Sequence, residues 1–336
     1  MTTISGNGRD RFIEDSEQYR RELIAHCYKM VGSLHEAEDI VQETYLRAWR
    51  NQESFEARSS VRTWLYRIAT NQCLSTLGSG KRRALPSGLF TPGPDPDVPM
   101  SPAGGDRLWL DPVPDSLVVP DGSTDPADVV VARSSLRLAL VASLQHLPPR
   151  QRAVFILREG LGYPAIEVAE MLEMSVAAVK SALQRARARL DDVAPVTDDL
   201  VEPDSPEARA ILDRYMDAFE RADIEAMNAL LRSDAKLELV PSDVWFQGKV
   251  TCVGHLRARA MTEPGLYRML PTIANGQPAA VTYHRRAIGD GFRPFAIAVL
   301  TVDRHTISAI TIFADPALVT RFGYPVTPPD SAADPF

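Results

Sequence analysis

Apolar positions early in the chain recur at helical spacing. From Leu34 to Arg50 they fall at Leu34, Ala37, Val41, Tyr45 and Ala48, the three-and-four step of one helix face. Ser33 followed by Glu36 is a capping box that sets the start. The other side carries Glu38, Asp39, Gln42, Glu43, Leu46 and Arg50, with Trp49 near its edge. Such a mixed acidic and apolar face is either a solvated surface or a partner surface. After a loop at 50–60, the helical period resumes from Val61. Trp64, Leu65, Ile68 and Ala69 can face a core, while Arg62, Arg67, Asn71 and the Lys81-Arg82-Arg83 cluster face outward. Phe55, Trp64 and Tyr66 are interleaved with these bases. That mixture suits single-stranded DNA, where cations neutralise phosphate and rings stack on unpaired bases. The plainer alternative is core aromatics beside solvated bases.

A second periodic region opens at Leu147-Pro148-Pro149-Arg150-Gln151-Arg152, with Val154, Phe155, Leu157 and Leu161 repeating on one face. In the stretch from Ala165 to Leu190, Val168, Ala169, Leu172, Met174, Val179 and Ala182 occupy the packing positions of a helix-turn-helix. Ala169 is small enough to let two helices cross closely, and Ser175 is suited to cap the second. That helix turns Lys180, Ser181, Gln184, Arg185 and Arg187 outward, donors suited to base edges and phosphates. An ordinary helical hairpin is the alternative. Glu173 stands where such a turn usually has glycine, which predicts a distorted turn.

The third region changes period. Glu207 to Phe219 is an amphipathic helix on Ala210, Ile211, Tyr215, Ala218 and Phe219, and Ala222 to Leu231 is a shorter one. Alternation of period two follows at Lys236–Val240, Ala279–His284, Phe295–Val302 and Thr306–Phe313. Helices followed by an antiparallel sheet predict an α+β cone, a form that often encloses a pocket. Trp245, Phe246 and Phe295 are candidate lining. Asp223, Glu238, Asp243, His255, His284 and Asp315 are candidate ionisable groups, with nothing in the sequence to show that any two converge.

Composition sharpens this division. Residues 84–128 hold ten prolines and five glycines, with eight aspartates against one arginine. Prolines break helices and remove amide donors, so the segment is expected as a solvated acidic linker. Its apolar island is Leu108-Trp109-Leu110. A shorter linker spans 191–206. The modules are therefore 12–83, 133–190 and 207–325, with linkers at 84–132 and 191–206. Net charge is −7 over 336 residues, but the average hides segregation. Six bases and no acids lie between Arg58 and Arg83, and four bases and no acids between Ser175 and Leu190. Cys27, Cys73 and Cys252 form no CxxC pair, so neither a disulfide framework nor a zinc site is indicated. The N-terminus lacks the apolar stretch of a secretory signal, and no apolar run approaches a membrane span. A cytoplasmic protein is expected, with no metal or cofactor.

Two motif sets resemble one family. Ala37-Glu38-Asp39-Ile40-Val41-Gln42-Glu43-Thr44-Tyr45-Leu46-Arg47-Ala48-Trp49 is similar to the polymerase-binding helix of extracytoplasmic-function (ECF) sigma factors of the sigma-70 type. Trp64-Leu65-Tyr66-Arg67-Ile68-Ala69-Thr70-Asn71 is similar to their promoter-opening helix. The Leu147–Arg152 run and Val179–Arg187 resemble their fourth region. The tail resembles SnoaL-like, ketosteroid-isomerase-like domains through Tyr215, Ala218, Phe219, Asp223, Trp245 and Gly248. Trp109-Leu110-Asp111-Pro112-Val113-Pro114-Asp115 resembles the linker of sigma factors that carry such a tail.

The resemblance implies two all-α domains, helical region 2 and helix-turn-helix region 4, followed by an α+β SnoaL-like cone. It implies a core RNA polymerase partner, contacted at its clamp and flap, through Asp39, Ile40, Val41, Gln42, Glu43, Leu46, Trp49 and Arg50. It implies promoter DNA as the second partner. The −10 element would meet Phe55, Arg58, Arg62, Arg67, Asn71, Lys81, Arg82 and Arg83. The −35 element would meet Ser175, Ala177, Ala178, Lys180, Ser181, Gln184, Arg185 and Arg187. The acidic linker would thread through the polymerase. Ser75, where many relatives have aspartate, and Gly78 and Gly80 depart from the family pattern. No catalytic residue is expected, and the tail would regulate through a small ligand or an intramolecular contact. The rival readings are a one-component DNA-binding regulator with an effector domain, and a SnoaL-like enzyme with a DNA-binding appendage.

Overall fold

The computed structural model describes residues 16–52, 60–78, 82–119, 126–193 and 201–329. The chain divides into two compact units, 1–83 with 116–195 and 84–115 with 196–336. The segment expected as one linker at 84–132 is thus shared between them.

The first unit is helical. Helices α1 (Arg20–Val31), α2 (Leu34–Arg50) and α3 (Val61–Leu77) pack on Leu23, Cys27, Tyr28, Val41, Leu65, Tyr66 and Cys73, all buried. Polar caps start the last two: the Ser33 hydroxyl accepts from the Glu36 N–H (3.4 Å) and the Ser60 hydroxyl from the Thr63 N–H (3.1 Å). Helices α4 (Pro126–Ser134), α5 (Leu138–Leu144), α6 (Pro149–Phe155), α7 (Ala165–Leu172) and α8 (Val176–Val193) follow. Pro149 stands in the first turn of α6, where its missing N–H costs nothing. Val168, Ala169 and Leu172 of α7 are buried, as are Val179, Ala182, Ala186 and Leu190 of α8, and the two helices pack on one another.

Arg152 ties this unit together. It is buried, and its guanidinium donates to the Gln145 side chain (2.7 Å), to the carbonyls of Gln145 and Leu147 (both 3.1 Å), and to the carbonyl of Met30 at the end of α1. Those acceptors are neutral, so burial lowers its pKa to about 10.

The second unit begins with α9 (Pro206–Glu220) and α10 (Ile224–Leu230). Its strands are β1 (Leu231–Val240), β2 (Trp245–Gln247), β3 (Tyr267–Ala274), β4 (Gln277–His284), β5 (Arg293–Val302) and β6 (Ile307–Phe313). They form one sheet in the order β2-β1-β6-β5-β4-β3. The expected antiparallel sheet is in fact mixed, because β1 pairs parallel with β6. Helix α11 (Lys249–His255) continues into a π turn, Leu256–Ala260, and α12 (Pro316–Arg321) closes the fold. In α9 the buried stripe is Ala208, Ile211, Leu212, Tyr215, Ala218 and Phe219, whereas Ala210 is exposed.

The proline-rich segment 84–115 does not float. It lies along the second unit as a strap. The Ser87 N–H donates to the Glu238 carboxylate (3.2 Å), Trp245 Nε1 to the Phe90 carbonyl (2.9 Å), and the Gly93 N–H to the Trp245 carbonyl (2.8 Å). Leu110 and Val113 are fully buried. The solvated tether expected from composition is therefore corrected. Prolines that cannot form helices still bury apolar rings and supply carbonyl acceptors, while Asp95, Asp97 and Asp106 are exposed.

Candidate functional site

On α2, Asp39, Gln42, Leu46, Trp49 and Arg50 are exposed and Glu43 is half-buried. Leu46 and Trp49 are 49% and 44% exposed. Glu43 pairs with Arg47 at 2.7 Å. Ile40 and Val41 do not belong to this face. They are buried in the helical core, because 3.6-residue periodicity turns them inward with Ala37 and Thr44.

The α3 surface is more committed than its sequence suggests. Arg62 donates to both oxygens of Glu22 (2.8–3.0 Å) and lies over the rings of Tyr66 and Tyr163 at 4.9 and 5.9 Å. Arg83 is held by Glu36 at 2.7 Å. The Glu36 carboxylate therefore meets Arg83, while its N–H takes the Ser33 cap. Tyr66 is fully buried and so is not a stacking platform, whereas Trp64 is half-buried. Arg67, Asn71 and Arg82 are exposed, as is Ser75. Phe55, Arg58, Lys81 and Gly80 lie outside the described residues. Helix α3 ends at Leu77 with Gly78 as its cap.

This same face meets the helix-turn-helix within the first unit. Arg67 lies 3.9 Å from Glu173, Asn71 donates to the Met171 carbonyl (3.5 Å), Arg62 to the Tyr163 hydroxyl (3.4 Å), and Arg82 touches His146.

Helix α8 presents Ala177, Lys180, Ser181, Gln184, Arg185, Arg187 and Arg189 to solvent, with Ala178 half-buried. Ser175 caps it, its hydroxyl accepting from the Ala178 N–H at 3.1 Å. Arg185 donates to Ser181, and Arg187 pairs with Glu159 at 2.7 Å. The turn is not distorted. Glu173 itself takes the left-handed conformation (φ 53°, ψ 50°) that glycine would supply, and its N–H reaches the Ala169 carbonyl.

The second unit holds a half-open cavity of about 310 Å³, at the lower end of small-molecule pockets. Leu237 and Leu239 of β1, Tyr215 and Phe219 of α9, and Tyr267, Thr282, Phe295 and Ala298 of the sheet line it. Pro99 and Met100 of the strap also line it. The π turn brings His255, Leu256, Arg259 and Ala260 to the wall together. His255 Nδ1 donates to the Pro96 carbonyl (2.8 Å), and the Arg259 guanidinium to the Asp97 carbonyl.

Of the ionisable candidates only His255 reaches the wall. Asp223 and Asp315 are helix caps, accepting from the Ala226 and Ala317 N–H groups at 2.9 Å. Glu238 alternates to the face opposite Leu237 and Leu239, where burial raises its pKa against the Ser87 hydrogen bond. Asp243 is exposed. His284 packs behind the wall on Tyr267 (4.8 Å) and Phe295 (5.6 Å). Of the expected lining aromatics only Phe295 serves. Phe246 stacks on His255 at 4.5 Å, and Trp245 binds the strap.

Sequence reading missed two buried polar atoms on residues beside the cavity. The hydroxyls of Tyr215 and Thr282 are buried with no hydrogen-bond partner among the described residues. It also missed how the strap is anchored. Asn275 and Gly276, both at positive φ (56° and 62°), form the β3–β4 turn. Their groups bind Val113 and Asp115. The Asn-Gly pair between alternating strands was the available signal.

Known proteins fit this architecture. Residues 16–83 match the sigma-70 region 2 family and residues 137–190 the sigma-70 region 4 family. The chain is 46% identical over 319 residues to the ECF RNA polymerase sigma factor SigG of Mycobacterium tuberculosis, covering 94% of this chain and 85% of that protein. The crystal structure of the M. tuberculosis ECF sigma factor SigJ shares the fold, with a TM-score of 0.61 at 23% identity over 94% of this chain and all of that one. An NTF2-like protein of Mesorhizobium loti overlays 33% of this chain and 93% of its own, with a TM-score of 0.28 at 18% identity. A relative so similar over so much of its length settles kinship: the chain belongs to the ECF family of RNA polymerase sigma factors.

Proposed function

We propose that the protein joins core RNA polymerase in the cytoplasm, directs it to promoters by reading −10 and −35 elements, and is regulated by its own second unit, which carries out no catalysis. The observation that carries this is α8: a capped helix with Lys180, Ser181, Gln184 and Arg185 exposed and Val179, Ala182 and Ala186 anchoring its other face. Its dimensions and donors suit a major groove. The exposed α2 face of Asp39, Gln42, Leu46, Trp49 and Arg50 is the polymerase surface, with Glu43 at its edge. Arg67, Asn71 and Arg82 are the −10 contacts, whereas Arg62 and Arg83 support the fold through their carboxylate partners.

These roles require motion within the first unit. The −10 and −35 elements are separated by on the order of 80 Å of duplex at about 3.4 Å per base pair. The α3 face now lies within 3.9 Å of Glu173 in the turn before α8. Binding both elements means breaking the Arg67–Glu173 and Asn71–Met171 contacts. No helix among the described residues is long and apolar enough to cross a membrane. Run-off transcription with purified core polymerase tests the proposal, comparing the whole chain with its Asp39→Arg/Trp49→Ala variant. Promoter-specific product from the first and none from the second is expected. Equal product from both would assign polymerase binding elsewhere.

A further inference from the structure

The cavity of the second unit is apolar except for one cation. Phe219, Leu237, Leu239, Phe295 and Ile312 are among its lining. The π turn Leu256–Ala260 widens the helical step, so that Leu256, Arg259 and Ala260 reach the same wall, and such turns recur at functional sites. Arg259 both lines the cavity and is exposed, which places it at the open side. No aspartate or glutamate lines the cavity among the described residues. Arg257, two residues away, is paired with Glu225 at 3.6 Å. Arg259 meets only a neutral acceptor: its Nε and Nη2 both donate to the backbone carbonyl of Asp97. The edge shared by Nη1 and Nη2 is left over, a pair of parallel donors that matches the two oxygens of a carboxylate.

We infer that this cavity binds a small amphipathic acid, its apolar body against Phe219, Leu237 and Phe295 and its carboxylate on the Nη1/Nη2 edge of Arg259, and that the bound acid holds the strap in place. An apolar wall with a single cation at its open side is the complement of such a molecule. The volume of about 310 Å³ equals roughly ten waters at ~30 Å³ each, enough for a two-ring aromatic or medium-chain acid. The apolar body supplies most of the affinity, while the carboxylate, bound at an exposed arginine, supplies selectivity. Pro99 and Met100 of the strap belong to the same wall, and Arg259 grips the strap at Asp97. A ligand that touches the strap only when it is docked stabilises the docked state by its differential affinity. The inference rests on the regulatory reading of the second unit and names its ligand class, but its test measures binding and cleavage on the free whole chain. It can therefore fail while transcription behaves as proposed, and the reverse.

Isothermal titration calorimetry compares 2-naphthoate with 2-naphthamide, a neutral group of the same shape. The acid is expected to bind roughly tenfold more tightly at low salt, the worth of hydrogen bonds between charged groups at a half-open site. Arg259→Gln, a change at an exposed position, should erase that preference. Arg257→Gln removes the same charge two residues away and should leave the preference intact. Arg107 is exposed and is the lone Lys or Arg between Arg83 and Arg133, so trypsin reports on the strap. With 2-naphthoate at ten times its Kd, cleavage after Arg107 should slow about tenfold. Absence of 2-naphthoate binding, equal affinity for acid and amide, a preference that survives Arg259→Gln or is lost equally in Arg257→Gln, or unchanged cleavage would each overturn the inference.

Discussion

Asn275 and Val113, 162 residues apart, exchange a pair of hydrogen bonds: the Val113 N–H donates to Asn275 Oδ1 and the Asn275 N–H to the Val113 carbonyl, both at 2.9 Å. The turn residue therefore does two tasks. It tolerates a φ of 56°, which asparagine accepts better than most side chains, and its amide anchors the strap. Asn275→Ala should destabilise the second unit by about 2–3 kcal/mol, one part from the buried Val113 N–H left unpaired and one from the left-handed backbone. Asn275→Gly should recover the backbone part alone. Chemical denaturation of the three proteins separates the two; equal stability of all three would mean that the strap anchor contributes nothing.

Much of this architecture was readable from spacing. Helices with wide apolar stripes, such as Leu34–Arg50, and strands with clear alternation, such as Lys236–Val240, stand in the structure where their periods put them. The strands that escaped were β2 and β3, the two edges of the sheet. β3 carries Pro271 in its middle, a residue that demotes a run read by pattern yet is tolerated where one side of a strand has no neighbour. The strap was misread for a related reason. Composition reports what a segment cannot do by itself, and Leu110 and Val113 gain burial only from distant chain. The Arg62 and Arg83 ion pairs were illegible because Glu22 and Glu36 lie on other helices, 40 and 47 residues away.

Glu173 holds a left-handed conformation at the end of α7. A side chain there costs about 1–2 kcal/mol that glycine avoids, offset in part by the greater freedom glycine has when unfolded. Glu173→Gly should stabilise the first unit by about 1 kcal/mol, read as a higher denaturation midpoint at unchanged slope. It also removes the carboxylate near Arg67. A lower midpoint would show that this ion pair outweighs the strain.

His26 makes stability depend on pH. It is fully buried, and its Nε2 lies 2.9 Å from Thr70 Oγ1. Thr70 spends its own proton on the Tyr66 carbonyl (2.7 Å), so Nε2 is the donor and Nδ1 is the unprotonated nitrogen. Nδ1 has no partner. Burial, with Lys29 and Arg62 adding to it, lowers the pKa from 6.5 to about 3. Between those values the unfolded chain binds the extra proton, so stability falls as pH drops below 6.5. The His26 share of the loss at pH 5 is about 2 kcal/mol relative to pH 7.5. His26→Gln should remove that share, measured as the difference between variant and parent denaturation at the two pH values. Parallel losses in both would place the proton elsewhere.

On α8, Arg185 is exposed and engaged only with the neighbouring Ser181 hydroxyl among the contacts described. Arg185→Ala should weaken binding to −35 duplex. A phosphate contact would lower the slope of log affinity against log salt by about 1, whereas a bidentate base contact would cost about 1–3 kcal/mol and relax preference at one position. Titration across salt and base substitutions distinguishes them, and no change in either would remove Arg185 from the interface.

Gly254 tests the strap without touching its partners' chemistry. It lies on α11 between Val253 and His255, and a Cβ built there would stand 3.1 Å from Cβ and 3.2 Å from Cγ of Pro96. Contacts that close are rare, so one of the two segments must yield. The helix is fixed by buried Cys252, Val253 and Leu256, whereas the strap at Pro96 is held mainly by the His255 hydrogen bond and the Arg259 contact with Asp97. The strap should therefore be the part that moves. Gly254→Val adds two further carbons on the same side, and overpacking of this kind costs about 1–3 kcal/mol. Tryptic cleavage after Arg107 should accelerate by roughly tenfold, since the open population grows by the same factor. Helical content should be unchanged, because valine is no worse than glycine within a helix. Unchanged cleavage would mean that the strap holds its place by contacts other than those at Pro96.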